Sequence, residues 1–161
     1  YARRELQEQL EPLVISWGWN GPFSKGSQFL DYLEYGGTSD ISAPLSVPAA
    51  IQFFWENDWP AVAEGCHQIV RQARPEIAAA LDATPICPDD RQWFRQMSAF
   101  LLPEGLPGDL LHSRLFSEHL VEIPTFPWQG RWAIRIAVQG YNTWEDVERL
   151  LAGLREIRKT L

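Results

Sequence analysis

Apolar positions along the chain fall into a few strong patterns separated by turn-rich stretches. Near the end, Trp144, Val147, Leu150, Leu151, Leu154 and Ile157 recur at helical spacing and form one stripe. Thr143 ahead of that stripe is a good N-cap and Asp146 stands where it closes a capping box. Acids at its start and Arg155, Arg158 and Lys159 at its end suit the helix dipole. A longer stripe of Val62, Cys66, Ile69, Val70, Ala73, Ile77, Ala80 and Leu81 predicts a second helix, entered through an Asp58 N-cap and a first-turn Pro60. Pro75 is expected to kink it near Gln72. From Pro48 onward, Ala49, Ala50, Ile51, Phe53 and Phe54 give a broad apolar face that suits an interior helix. Residues 2–10 are strong helix formers ended by Pro12, and Asp109 is expected to cap a short helix with Leu111, Leu115 and Leu120 inward.

Period-two and short apolar runs predict the strands. Gln96–Leu102, Val121–Phe126 and Arg131–Gln139 have strand length and content, and Leu13–Trp17 reads as a short buried strand or extended segment. In Arg131–Gln139, alternation puts Trp132, Ile134, Ile136 and Val138 on one face and Arg131, Ala133, Arg135, Ala137 and Gln139 on the other. Turns are expected from Trp17 to Pro22, over Thr84–Asp90 and over Pro103–Gly108; Leu30–Asp40 reads as a loop ending in a Gly-Gly-Thr-Ser-Asp cluster. The fold class implied is α+β, an antiparallel or mixed sheet of about three strands covered by helices in two layers.

Composition narrows the functional classes. With 161 residues, 45% of them hydrophobic, the chain can bury one sizeable core. A net charge of −7 without a dense Lys/Arg cluster argues against nucleic acid as a partner. No apolar run reaches the roughly 18 residues of a membrane span, and a cytoplasmic setting with Cys66 and Cys87 as free thiols is the plainer reading. Cys66-His67 offers no metal site, because adjacent helical residues diverge. The chain opens on Tyr1 with an interior-like pattern, so it is expected to be excised from something longer.

Two features invite chemistry. Arg135, flanked by two alanines on its face, has room for bidentate capture of a carboxylate, although an arginine on the solvent face of an edge strand would look the same locally. Gly36-Gly37-Thr38 offers free backbone and a hydroxyl, fit for an anion such as phosphate or for nothing beyond a turn. His67, His112 and His119 fall on predicted helices with structural or surface roles expected. The two lysines, Lys25 in a loop and Lys159 in the last helical turn, lack the desolvated setting of a Schiff-base lysine.

Arg135–Asp146 (RIAVQGYNTWED) resembles the C-terminal signature of class V pyridoxal-phosphate enzymes, an arginine followed by Tyr-Asn-Thr and an acidic helix start. Tyr35–Ile51 (YGGTSDISAPLSVPAAI) resembles the Gly-Thr segment and interdomain helix of the same family. Together with Ser16-Trp17-Gly18-Trp19 and Cys66-His67, these segments look most like the isopenicillin N epimerase branch, with cysteine desulfurases more distant. The resemblance implies that Arg135 binds the α-carboxylate of an amino-acid substrate. It also implies that Thr38, with Gly37, reaches the cofactor phosphate across a homodimer interface. Residues 1–43 would then trail from a large cofactor-binding domain and 44–161 would form the small C-terminal domain. Pyridoxal phosphate is expected in the full-length protein and not retained by this piece, whose Schiff-base lysine and large-domain partner lie elsewhere. Ala137, where many relatives carry Ser, and Pro75, where the helix is usually continuous, depart from the pattern. The rival reading is a non-catalytic α+β interaction module presenting Trp17, Trp19, Trp55 and Trp59.

Overall fold

The computed structural model describes residues 1–22, 26–34 and 36–161; Lys25 and Tyr35 lie outside the described residues. The chain divides into two compact units, Tyr1–Gln52 and Phe53–Leu161.

The first unit is built from short local devices. Helix α1 covers Arg4–Gln7, shorter than the stretch of helix formers around it, and none of its residues is buried. The expected strand at Leu13–Trp17 does not form. Leu13, Val14, Ile15 and Trp17 are exposed, and a turn follows over 17–20 with Asn20 at φ 51°. β-propensity without a neighbouring strand has nothing to pair with, so context overrides it. Gly18 is obligatory in that turn, since a Cβ there would sit 1.5 Å from the Asp31 carbonyl oxygen. Part of the expected 30–40 loop is instead helix α2, Gln28–Leu33, whose Leu30 amide donates to the capping Ser27 hydroxyl. Trp19 stacks on Tyr32 at 4.4 Å, and the Tyr32 hydroxyl donates to Asn20.

Helix α3 runs over Ser42–Glu56, beginning six residues ahead of the expected Pro48 start. Asp40 accepts from both the Ser42 amide and hydroxyl, and Pro44 falls in the first turn, where a missing N–H costs nothing. These bonds hold the Asp40 carboxyl below its usual range. The broad apolar face of α3 is not interior: Leu45, Ile51, Phe53, Phe54 and Trp55 are all exposed.

The second unit carries the core. Helix α4, Trp59–Leu81, follows Asp58, which adopts φ 44° and caps without a side-chain bond. The helix continues through Pro75 to Leu81, and Cys66, Val70, Ala73, Ile77 and Leu81 of the expected stripe are buried. A two-residue strand β1, Thr84–Pro85, lies in the expected loop; β2 is Met97–Leu101. Helix α5, Gly108–His119, starts from Pro107, so Asp109 sits in the first turn and is not the cap. Leu111 and Leu115 are buried as expected, but Leu120 ends the helix in the left-handed conformation and is 78% exposed. The expected strand at Val121–Phe126 is displaced to β3, Thr125–Trp128. The left-handed Gln129-Gly130 pair is a turn geometry that suits a two-residue hairpin, and it sets the register with β4, Arg131–Ala137. Helix α6, Trp144–Arg158, has the expected capping box at Thr143 and Asp146.

Four strands form one antiparallel sheet in the order β1-β2-β4-β3, one strand more than the sequence suggests. Two residues are too short a run to show periodicity, which is why β1 escapes sequence reading. Ser98, Phe100, Ile134 and Ile136 face the helical layer and are buried together with α4, α5 and α6 residues. Met97, Ala99, Arg135 and Ala137 fall on the opposite face by cross-strand register.

Candidate functional site

Arg135 sits on an inner strand, not on an edge, with β2 on one side and the β3 segment on the other. Its amide donates to the Pro124 carbonyl at 3.1 Å, and its cross-strand partner is Ala99. Three alanines (Ala99, Ala133 and Ala137) therefore neighbour it on that face. The guanidinium makes no hydrogen bond or ion pair with any described residue, an arrangement that leaves all its donors for a ligand. Arg135 lines an open cavity of about 600 Å³ with Trp93, Met97, Ile86 and Arg95. It also lines a second cavity of about 280 Å³ at the other side of β4, between residues 120–124 and the start of α6.

The floor and rim of the open cavity are anchored by a residue that periodicity did not single out. Arg74 of α4 is 4% exposed, donates to the Ser98 hydroxyl at 2.5 Å and the Cys87 carbonyl at 2.6 Å, and lies 4.3 Å from the Phe94 ring. One guanidinium thus ties together both ends of the 87–98 loop. Its only sequence signal was a charged residue directly beside the apolar stripe, between Ala73 and Ile77. His67 is buried likewise, its Nδ1 3.0 Å from the Arg95 carbonyl.

Other expected residues fall elsewhere. Gly37 and Thr38 belong to the first unit, and Arg135 to the second. Gly37 adopts φ 131°, a region L side chains avoid, and no atom approaches the Cβ position of Gly36 or Gly37 within 4 Å. His112 pairs with Glu122 at 2.8 Å, and His119 lies 3.7 Å from Glu156; both are on α5. Cys66 and Cys87 are free thiols. Of the four tryptophans expected on a partner surface, Trp17 and Trp55 are exposed, whereas Trp19 and Trp59 are half-buried. No helix among the described residues is long and apolar enough to cross a membrane.

No family model matches the chain. It is 28% identical over 159 residues to an isopenicillin N epimerase of Amycolatopsis lactamdurans, covering 93% of the chain and 40% of that protein. It is 27% identical over 157 residues to an isopenicillin N epimerase of Streptomyces clavuligerus, covering 91% and 39%. The chain therefore spans about two-fifths of the length of the curated relatives it matches. Among solved structures, the apo cysteine desulfurase of Thermococcus onnurineus NA1 superposes with a TM-score of 0.75 at 19% identity, over all of this chain and 42% of that one. A NifS-like protein follows at 0.58 and 20% identity, over 94% and 40%.

Pyridoxal phosphate requires an amine to carry it, a cradle for its phosphate and a group for the substrate acid. The described residues fit the last two: the open backbone at Gly36-Gly37 beside Thr38, and the unpaired Arg135. They do not fit the first, because Lys159 caps the exposed end of α6. Over more than nine-tenths of its length the chain is thus a homologue of the isopenicillin N epimerases, and it shares the fold of the cysteine desulfurases, that of the class V pyridoxal-phosphate enzymes.

Proposed function

We propose that this chain is the substrate-acid and phosphate-side portion of a pyridoxal-phosphate enzyme acting on an amino acid, of the isopenicillin N epimerase-like kind. Residues 1–43 trail from the cofactor-binding domain in this reading, and 44–161 form the small domain. The observation that carries it is Arg135: a guanidinium on an inner strand, surrounded by alanines, facing an open cavity and unpaired. Arg135 is exposed in this chain, and a guanidinium held by an inner strand beside small residues is placed to receive a planar acid in two parallel bonds.

Bound there, the substrate carboxylate is fixed in distance and in plane, which sets the direction of the bonds at its Cα. Thr38, through its hydroxyl, and Gly37, through its amide, would hold the phosphate, in the homodimer across the subunit interface. The cofactor, when bound, supplies the sink for the electrons released at Cα. Burial of the Arg135 cavity by the rest of the enzyme would exclude water and strengthen the ion pair.

The test is Arg135→Ala in the longer enzyme containing this chain. The Michaelis constant for the amino acid should rise roughly 10- to 100-fold, the ~1.5–3 kcal/mol expected of a hydrogen bond to a charged group, with cofactor absorbance unchanged. An unchanged Michaelis constant would remove Arg135 from the substrate site. The 161-residue chain alone should lose its visible cofactor absorbance on dialysis; retention would show an amine anchor within it.

A further inference from the structure

The second cavity, beside β4, is bordered by Arg135 as well and has further donors of its own. Strand β3 covers β4 only as far as Ile134, and residues 120–124 close on it through the Pro124 carbonyl at Arg135. The Val138 amide donates to Gln96 on the β2 side, so strand alternation turns the Ala137 N–H the other way, past the end of β3. That N–H finds no acceptor among the described residues, and Ala137 lines the cavity of about 280 Å³. Arg149, one turn into α6, lines the same cavity and makes no hydrogen bond or ion pair with a described residue.

The acids of this cavity are already committed. Glu122 pairs with His112 at 2.8 Å, and Asp146 accepts from the Thr143 amide at 3.0 Å and the Asn142 side chain at 3.2 Å. Those bonds, the Thr143 amide first, together with the nearby charge of Arg149, hold the Asp146 carboxyl below its usual range. The start of α6 is thus capped from within, and the donors at the cavity that bond no described residue include the Arg135 and Arg149 guanidiniums and the Ala137 N–H. Val121, Ile123, Val147 and Leu150 give the cavity an apolar wall.

We infer that this cavity is a binding site for a small carboxylic acid with an apolar body, its carboxylate on Arg149 and the Ala137 N–H and its hydrocarbon against Ile123, Val147 and Leu150. The inference stands on Arg149 and the strand edge; Arg135 borders the same cavity and, in the reading above, takes the substrate acid instead. Two donors from separate elements give the acid both charge and direction, and a cavity of this size admits a short chain or a single ring.

Hexanoate is a suitable probe, titrated into the 161-residue chain by calorimetry with hexanol and hexylamine as neutral and cationic controls. Hexanoate should bind and the controls should not, and its affinity should fall as the pH drops through the acid's own titration. Arg149→Gln, at an exposed position that leaves the core untouched, should weaken hexanoate at least tenfold. Ala137→Pro removes the Ala137 N–H and breaks no bond to β2, so it should weaken binding as well while far-ultraviolet circular dichroism stays unchanged. Equal binding of hexanol, no binding of hexanoate, or full affinity in Arg149→Gln each overturns the assignment. Loss of substrate affinity in Arg135→Ala with hexanoate binding intact would separate this site from the substrate site.

Discussion

Ser98 is a small residue with a large duty: its hydroxyl takes a bond from a guanidinium that no carboxylate among the described residues neutralises. Ser98→Ala leaves Arg74 one acceptor short in a buried place. Urea unfolding should therefore show a loss of ~1.5–3 kcal/mol, as for hydrogen bonds to charged groups. Asp146 supplies the second residue-level prediction. Its folded-state carboxyl titrates below the usual 3.8, chiefly through the Thr143 amide. A depressed acid contributes stability that is complete above its unfolded value and disappears as pH falls through the folded one. Acid titration should thus melt the start of α6 below the ordinary aspartate range, and Asp146→Asn should flatten that dependence. Arg135 and Asp146 were both legible in the sequence, because alternation and the capping box are local rules. Arg74, Arg149 and the free Ala137 amide were not, since each depends on which strand or loop lies opposite.

Two glycines in helices make opposite predictions from the same substitution. Gly65 in α4 has nothing within 4 Å of its Cβ position, so Gly65→Ala gains helix propensity and should stabilise by about 0.5–1 kcal/mol. Gly153 in α6 would place a Cβ 2.9 Å from the His119 ring and from a methyl of the fully buried Leu115. There the crossing with α5 is too close for a methyl, and Gly153→Ala should lower stability by roughly 1–3 kcal/mol through overpacking. Chemical denaturation of the two variants checks both signs. At this scale the long stripes of α4 and α6 and the alternation of β4 were readable, as each spans several periods. The displacement of β3 was not. Pro127 looks hostile to a strand, yet β3 is an edge strand. Pro127 faces Trp132, whose carbonyl bonds Leu102 on the β2 side, so the missing N–H breaks no rung.

At the scale of the whole chain, α+β architecture with helices over one sheet face was implied by the order of elements. Burial was misjudged in the first unit, where Leu13–Trp17 and α3 read as interior and are exposed. Apolar periodicity reports that a face requires cover, not that the cover is supplied by the same stretch of chain. Such exposed surface favours self-association, and Ile51→Asp should reduce it in sedimentation experiments while leaving the cooperative unfolding of residues 53–161 within about 0.5 kcal/mol. The uneven packing also has a kinetic signature. No residue of α1, α2 or α3 is buried, so their amides should exchange with deuterium early, and those facing the 53–161 core late. Along β4 the order should break at one place: Ile134, Arg135, Ile136 and Val138 donate to neighbours and should stay protonated for long, whereas Ala137, next to them in the same strand, should be labelled among the first and slow down only when a guest carboxylate covers it.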